Sequence, residues 1–93
     1  MLDPFPTTSD LIDHRAAATR LGCKRAKFFR DVRGGLVTQP IRLHAHAIRW
    51  PASDIDRIVR ARLIGACDDD IRALVATLEL TRRHALKSEG FVQ

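Results

Sequence analysis

Nine basic side chains fall between His14 and Trp50, namely Arg15, Arg20, Lys24, Arg25, Lys27, Arg30, Arg33, Arg42 and Arg49, against a single acid, Asp31. The flanks differ. Residues 1–13 carry only Asp3, Asp10 and Asp13, and residues 51–93 carry seven bases and seven acids. The net charge of +5 therefore originates in the middle third of the chain. One-signed charge gathered in this way is the electrostatic footprint of a chain that meets nucleic acid. Thirteen of the sixteen basic residues are Arg, whose planar fork matches phosphates and guanine edges better than an ammonium does.

Other chemistry finds less support. His44 and His46 with Cys23 and Cys67 suggest zinc, but structural zinc sites use closely spaced ligand pairs, and these cysteines stand 44 positions apart. The expectation is no metal, with both thiols acting as small hydrophobes. Asp68-Asp69-Asp70 suits the positive end of a helix dipole, and three consecutive helical acids point in different directions. No Gly-rich phosphate loop and no Ser/His/Asp spacing is present, so no enzyme activity and no cofactor are expected.

The elements that must position the basic residues fit one small domain. A chain of 93 residues buries roughly 60–65% of its unfolded surface. With 45% hydrophobic and 29% charged residues it has a globular composition. No apolar run reaches the ~18 residues of a membrane span, and MLDPFPTTSD lacks a signal-peptide apolar region. The expectation from these features is a cytoplasmic protein. Residues 1–10, with Pro4 and Pro6, read as a flexible lead-in.

Asp13 is a plausible N-cap for a helix over 14–21, rich in Ala, which Gly22 ends. A second helix spans about 24–33. Phe28, Phe29 and Val32 form its apolar stripe, Lys24, Arg25, Lys27, Arg30 and Arg33 its other face, and Gly34-Gly35 terminates it. Ile41-Arg42-Leu43 and Ala47-Ile48-Arg49-Trp50 alternate like strands around a three-residue loop, His44-Ala45-His46, which predicts a β-hairpin. Trp50 is expected in the core against Ile55 and Phe28. A further helix begins at Pro51–Asp54, carries Ile55, Ile58, Val59 and Leu63, and stops at Gly65. A last helix starts with Asp68 as N-cap and repeats Ile71, Leu74, Val75 and Leu78 at helical spacing. The fold class expected is mainly α with a small β-hairpin, a winged helix-turn-helix over 11–65 with an extra C-terminal helix over 66–88 and a tail over 89–93.

From Leu11 to about Leu63 the chain resembles the AlpA-type phage transcriptional regulators and excisionase-like proteins, relatives of the MerR-like winged-helix domains. The carrying residues are Leu11-Ile12, Leu21-Gly22, Phe29-Arg30, Gly35, Pro40, Ile41-Arg42-Leu43, Ala47-Ile48-Arg49-Trp50 and Ser53-Asp54-Ile55. The hairpin ending in Arg-Trp before a Ser-Asp-apolar helix is the most specific piece. Departures are Lys24 at the position usually held by a capping Ser, Phe29 for a common Tyr, and His44-Ala45-His46 for a Gly-Pro-Arg-like tip.

The resemblance implies a sequence-specific double-stranded DNA-binding protein, a transcriptional regulator or an excisionase of a phage or integrative element, with an integrase as a further partner. In that reading Arg25, Lys27 and Arg30 reach base edges, and Lys24 and Arg33 meet phosphates. Arg42, His44, His46 and Arg49 set the wing against the backbone or minor groove, although Arg49 could instead stack on Trp50 or pair with a carboxylate. A domain of this kind covers roughly 600–1,000 Å² on DNA, so cooperative binding or self-association is expected. Ile71, Leu74, Val75 and Leu78 are a candidate interface for it, unless they close the monomer core. The competing reading is a protein–protein adaptor, an antirepressor or recombinase recruiter, acting through the C-terminal helix. RNA is less favoured, because the chain has no Tyr and no row of aromatics for stacking bases.

Overall fold

Asp13 begins the first helix as its sequence predicts. The Ala16 amide donates to its Oδ1 at 2.9 Å, and α1 runs His14–Leu21. Gly22 closes α1 at φ 72°, a left-handed geometry that a side chain resists. The computed structural model describes residues 11–88, with side chains to residue 84; the lead-in 1–10 and tail 89–93 lie outside the described residues.

After a short turn comes α2 (Arg25–Arg33), which buries Phe28 and Val32. Its C-terminal carbonyls are covered from two sides. The Leu36 amide donates back to the Asp31 carbonyl at 2.8 Å, with Gly35 at φ 80°, and Arg72 Nε donates to the Gly34 carbonyl at 3.1 Å. A cation at this end also complements the helix dipole.

The hairpin consists of β2 (Ile41–His44) and β3 (Ala47–Pro51), and differs from expectation at its tip. His44 belongs to the strand opposite Ala47, leaving a two-residue turn, Ala45-His46. The register shifts between Arg42 and His44, so Leu43 is the extra residue of a bulge, where a strand bends and twists more strongly. Leu11–Ile12 forms a further strand, β1, antiparallel to β3 with Leu11 opposite Pro51 and Ile12 opposite Trp50. The sheet is thus three-stranded, in the order β1-β3-β2.

Pro51 precedes α3 (Ala52–Leu63), which buries Ile55 and Ile58 as its spacing predicts. Leu63 departs from that stripe and is 80% exposed. The final helix, α4, spans Asp68–Ser88. Its start also corrects the expected cap: Asp68 is already helical, and the Cys67 amide donates to Asp70 Oδ2 at 3.3 Å, half of a capping box. Ile71, Val75 and Leu78 are buried and Leu74 is half-buried, all packed with Phe28, Val37, Trp50, Ile55 and Ile58. Among the described residues the protein is therefore mainly helical, with four helices and a small antiparallel sheet around one core. Among the described residues no helix is long and apolar enough to cross a membrane.

Candidate nucleic-acid interface

The hairpin and α2 share one aromatic joint. Trp50 is fully buried, and its ring meets Phe28 edge-on with centroids 4.8 Å apart and Phe29 at 6.2 Å. Its Nε1 donates to the Thr38 carbonyl at 2.8 Å, which satisfies the one polar atom of the indole. His14 closes the cluster from α1, 5.4 Å from the Phe29 ring. Two basic elements are thus held on a common rigid base.

The apolar joint fixes which way α2 faces. With Phe28 and Val32 inward, Ala26, Arg30 and Arg33 share the opposite face at i, i+4 and i+7, and all three are exposed. Neither guanidinium carries an acidic partner among the described residues. Ala26 is the member of this face that basic-residue counting misses. Its signal was the i−4 spacing from Arg30, and its small side chain allows close approach of the backbone to a groove.

The other basic residues of α2 sit at the margins of that face. Lys24 is exposed at the N-cap position, where it makes no side-chain cap. Arg25 lies with Cζ 5.8 Å over the Phe29 ring, a cation–π geometry that restricts the side chain. Lys27 bonds Asp31 one turn on, Nζ to Oδ2 at 2.8 Å, so the one acid of the basic stretch is spent on one of its bases. An exposed pair of this kind contributes at most about 1 kcal/mol, and Lys27 is exchangeable towards another anion.

On the hairpin, Arg42, His44 and His46 are exposed. Arg42 Nη1 donates to the Ala45 carbonyl at 3.0 Å, pinning the turn with one of its donors and leaving the rest outward. Arg49 is half-buried and donates to the carbonyl of Ile48 at 2.8 Å. Among the described residues neither the alternative stack on Trp50 nor an ion pair with a carboxylate forms. Its charge nevertheless reaches Asp13, whose carboxyl is held below its ordinary value first by the Ala16 amide. Partial desolvation opposes that shift, and His14, Arg49 and Arg15 reinforce it.

Beside α2 lies a cleft of about 390 Å³. It is lined by Leu36, Val37 and Ile58, by the Lys27–Asp31 pair, and by a second pair, Arg62 Nη1 to Asp68 Oδ1 at 2.8 Å. Cys23 also lines it, and burial, followed by the charge of Asp31, pushes its thiol above the ordinary value, while Lys27 acts oppositely. Both cysteines are free, and no group of three or more His, Cys, Asp or Glu able to hold a metal occurs among the described residues. Of the four residues considered as a possible self-association surface, Ile71, Val75 and Leu78 are buried in the core and Leu74 packs half-buried against it.

No family model, curated protein or solved structure matches the chain.

Proposed function

We propose that the chain is a winged helix-turn-helix protein that binds double-stranded DNA in a sequence-specific manner, acting as a transcriptional regulator or an excisionase. In this reading α2 is the recognition helix and the β2–β3 hairpin is the wing. The observation that carries it is the outward face of α2, where Ala26, Arg30 and Arg33 align with no acid among the described residues bonded to either arginine. A helix of about 10–12 Å diameter fits the B-DNA major groove of about 12 Å, so such a face can approach base edges.

In this mechanism Arg30 offers its fork to a guanine edge, and Arg33, Lys24 and Arg25 meet phosphates on either side of the groove. The hairpin adds Arg42, His44 and His46 against the flanking backbone or minor groove. Trp50 and Phe28 set the angle between helix and wing, so they shape the interface without touching DNA. The adaptor reading loses support from the burial of Ile71, Val75 and Leu78.

Fluorescence anisotropy with duplex from the chain's own upstream region, against a scrambled duplex, tests the proposal across a salt titration. Tight binding to the first and weak, salt-sensitive binding to the second is the expected result. An absence of binding to both at low salt refutes it.

A further inference from the structure

Three side chains of α4 take hold of the segment that joins α2 to the hairpin, residues 34–40. At its start Arg72 Nε donates to the Gly34 carbonyl at 3.1 Å. At its far end the Gln39 amide donates to Glu79 Oε2 at 2.8 Å, and the Gln39 carbonyl accepts from Arg82 Nη1 at 3.0 Å. Seven positions make about two helical turns, so Arg72 and Glu79 share one side of α4, and Arg82 follows Glu79 by three. The Gln39 side chain returns to α2, its Nε2 donating to the Val32 carbonyl at 3.3 Å.

We infer that α4 fixes the hairpin against α2, with Arg72 and Glu79 as positioning residues for a DNA duplex that they do not themselves touch. This rests on the DNA-binding reading, in which α2 and the hairpin engage one duplex together. The joining segment begins Gly34-Gly35, with Gly35 at φ 80°, and glycine samples more of backbone space than any other residue. The Trp50 joint anchors β3, whereas β2 is the edge strand, carries Arg42 and His44, and follows directly from the gripped segment. A loose segment would leave helix and wing aligned in only a fraction of molecules, and the apparent affinity falls by that fraction. With α4 holding both ends, the ordering cost is met during folding and the interface is arranged before DNA arrives.

Charge separates this role from direct contact. Glu79 is an acid, so by electrostatics alone its removal favours a polyanion. A loss of affinity on its removal must therefore come from the lost hold on Gln39. Arg72 differs from a phosphate contact in the same testable way, because it spends its Nε on a carbonyl and its Nη1 on Asp69.

Anisotropy titrations on the upstream and scrambled duplexes compare Glu79→Ala with Glu79→Gln. The two variants remove the same charge, but only Gln keeps an acceptor for the Gln39 amide. Glu79→Ala is expected to bind both duplexes about three- to tenfold more weakly than Glu79→Gln, as a competent fraction of about 0.1–0.3 gives. Glu79→Gln is expected to bind at least as tightly as wild type. Arg72→Met keeps the stem of the side chain and is expected to weaken binding with an unchanged salt slope, whereas loss of a phosphate contact lowers that slope by about one. Without DNA, hydrogen exchange followed by NMR at the Gln39 amide and at the Trp50 indole, which donates to Thr38 inside the segment, is expected to quicken in Glu79→Ala but not in Glu79→Gln. Melting temperatures of the two variants are expected to agree within about 5 °C.

Glu79→Ala binding as tightly as Glu79→Gln overturns the inference, as does equal hydrogen exchange in the two. A wider gap in melting temperature makes Glu79 a stability element and overturns it too, and a lowered salt slope for Arg72→Met removes Arg72 from the positioning role. Failure of wild type to bind either duplex refutes the DNA-binding reading instead, and the exchange measurement then still decides whether α4 holds the segment.

Discussion

Substituting Asp54 with Ala removes the one ion pair among the described residues in which both side chains are largely enclosed. Asp54 Oδ2 accepts from Arg82 Nη2 at 2.7 Å, and the two side chains keep 12% and 21% of their exposure. The same guanidinium donates through Nη1 to the Gln39 carbonyl at 3.0 Å. Arg82 thus ties α4 both to the first turn of α3 and to the segment that leads into the hairpin. Breaking a fully buried pair costs about 3–5 kcal/mol, mostly because one charge is left without compensation. Residual solvent contact discounts this to about 2–3 kcal/mol for Asp54→Ala. For a domain of this size that lowers the melting temperature by roughly 10–20 °C. Arg82→Met is expected to destabilise as well, since it leaves the Asp54 carboxylate without its guanidinium. Chemical denaturation of wild type, both single variants and the double variant gives the coupling directly, expected near 1.5–2 kcal/mol. A coupling below about 0.3 kcal/mol would refute the reasoning and make the pair incidental.

Thr38 tests the same core from the opposite side. It is fully buried and its Oγ1 has no hydrogen-bond partner among the described residues, so Thr38→Val is expected to be neutral or to stabilise by up to about 1 kcal/mol in thermal unfolding; a loss of more than about 1 kcal/mol would contradict this. Asp13 governs part of the acid response. Its folded carboxyl titrates below the ordinary 3.8, so its contribution is fully present above about that pH and is lost as the pH falls through the lower folded value. Asp13→Ala should flatten the fall in stability in that acid window, measured by unfolding at a series of pH values. An unchanged slope contradicts the cap.

Local chemistry made much of this fold legible. The Asp13 cap, Gly22, the boundaries of α2 and the burial of Trp50 each depend on residues close in sequence, and each appears where the pattern puts it. What escaped depends on distant partners. Leu11–Ile12 is too short to announce a strand and becomes one only by pairing with Trp50 and Pro51. Asp54 looks like a helix-start acid, and nothing nearby points to Arg82, 28 positions away. The apolar spacing of α4 specifies a buried stripe but not what buries it, and that ambiguity allowed a self-association reading for residues that complete the core. For Leu63 the periodicity continues after the neighbouring elements have ended, which leaves it in solvent.

The candidate interface divides in the same way. The position of the bases in the chain was visible, but their pairing was not. Lys27 meets Asp31, Arg42 holds the turn and Arg49 rests on a carbonyl, so the residues left free on α2 converge on Arg30 and Arg33.

The most direct test of this account is the affinity of Arg30→Ala and Arg33→Ala for the upstream duplex and its scrambled control, from about 50 to 200 mM salt. The account predicts that Arg30→Ala loses about 1–3 kcal/mol on the upstream duplex and much of the preference over the control. It predicts that Arg33→Ala weakens both duplexes alike and reduces the salt slope by about one. Variants that bind both duplexes as tightly as wild type, with unchanged salt slopes, would contradict the claim that this face of α2 reads DNA.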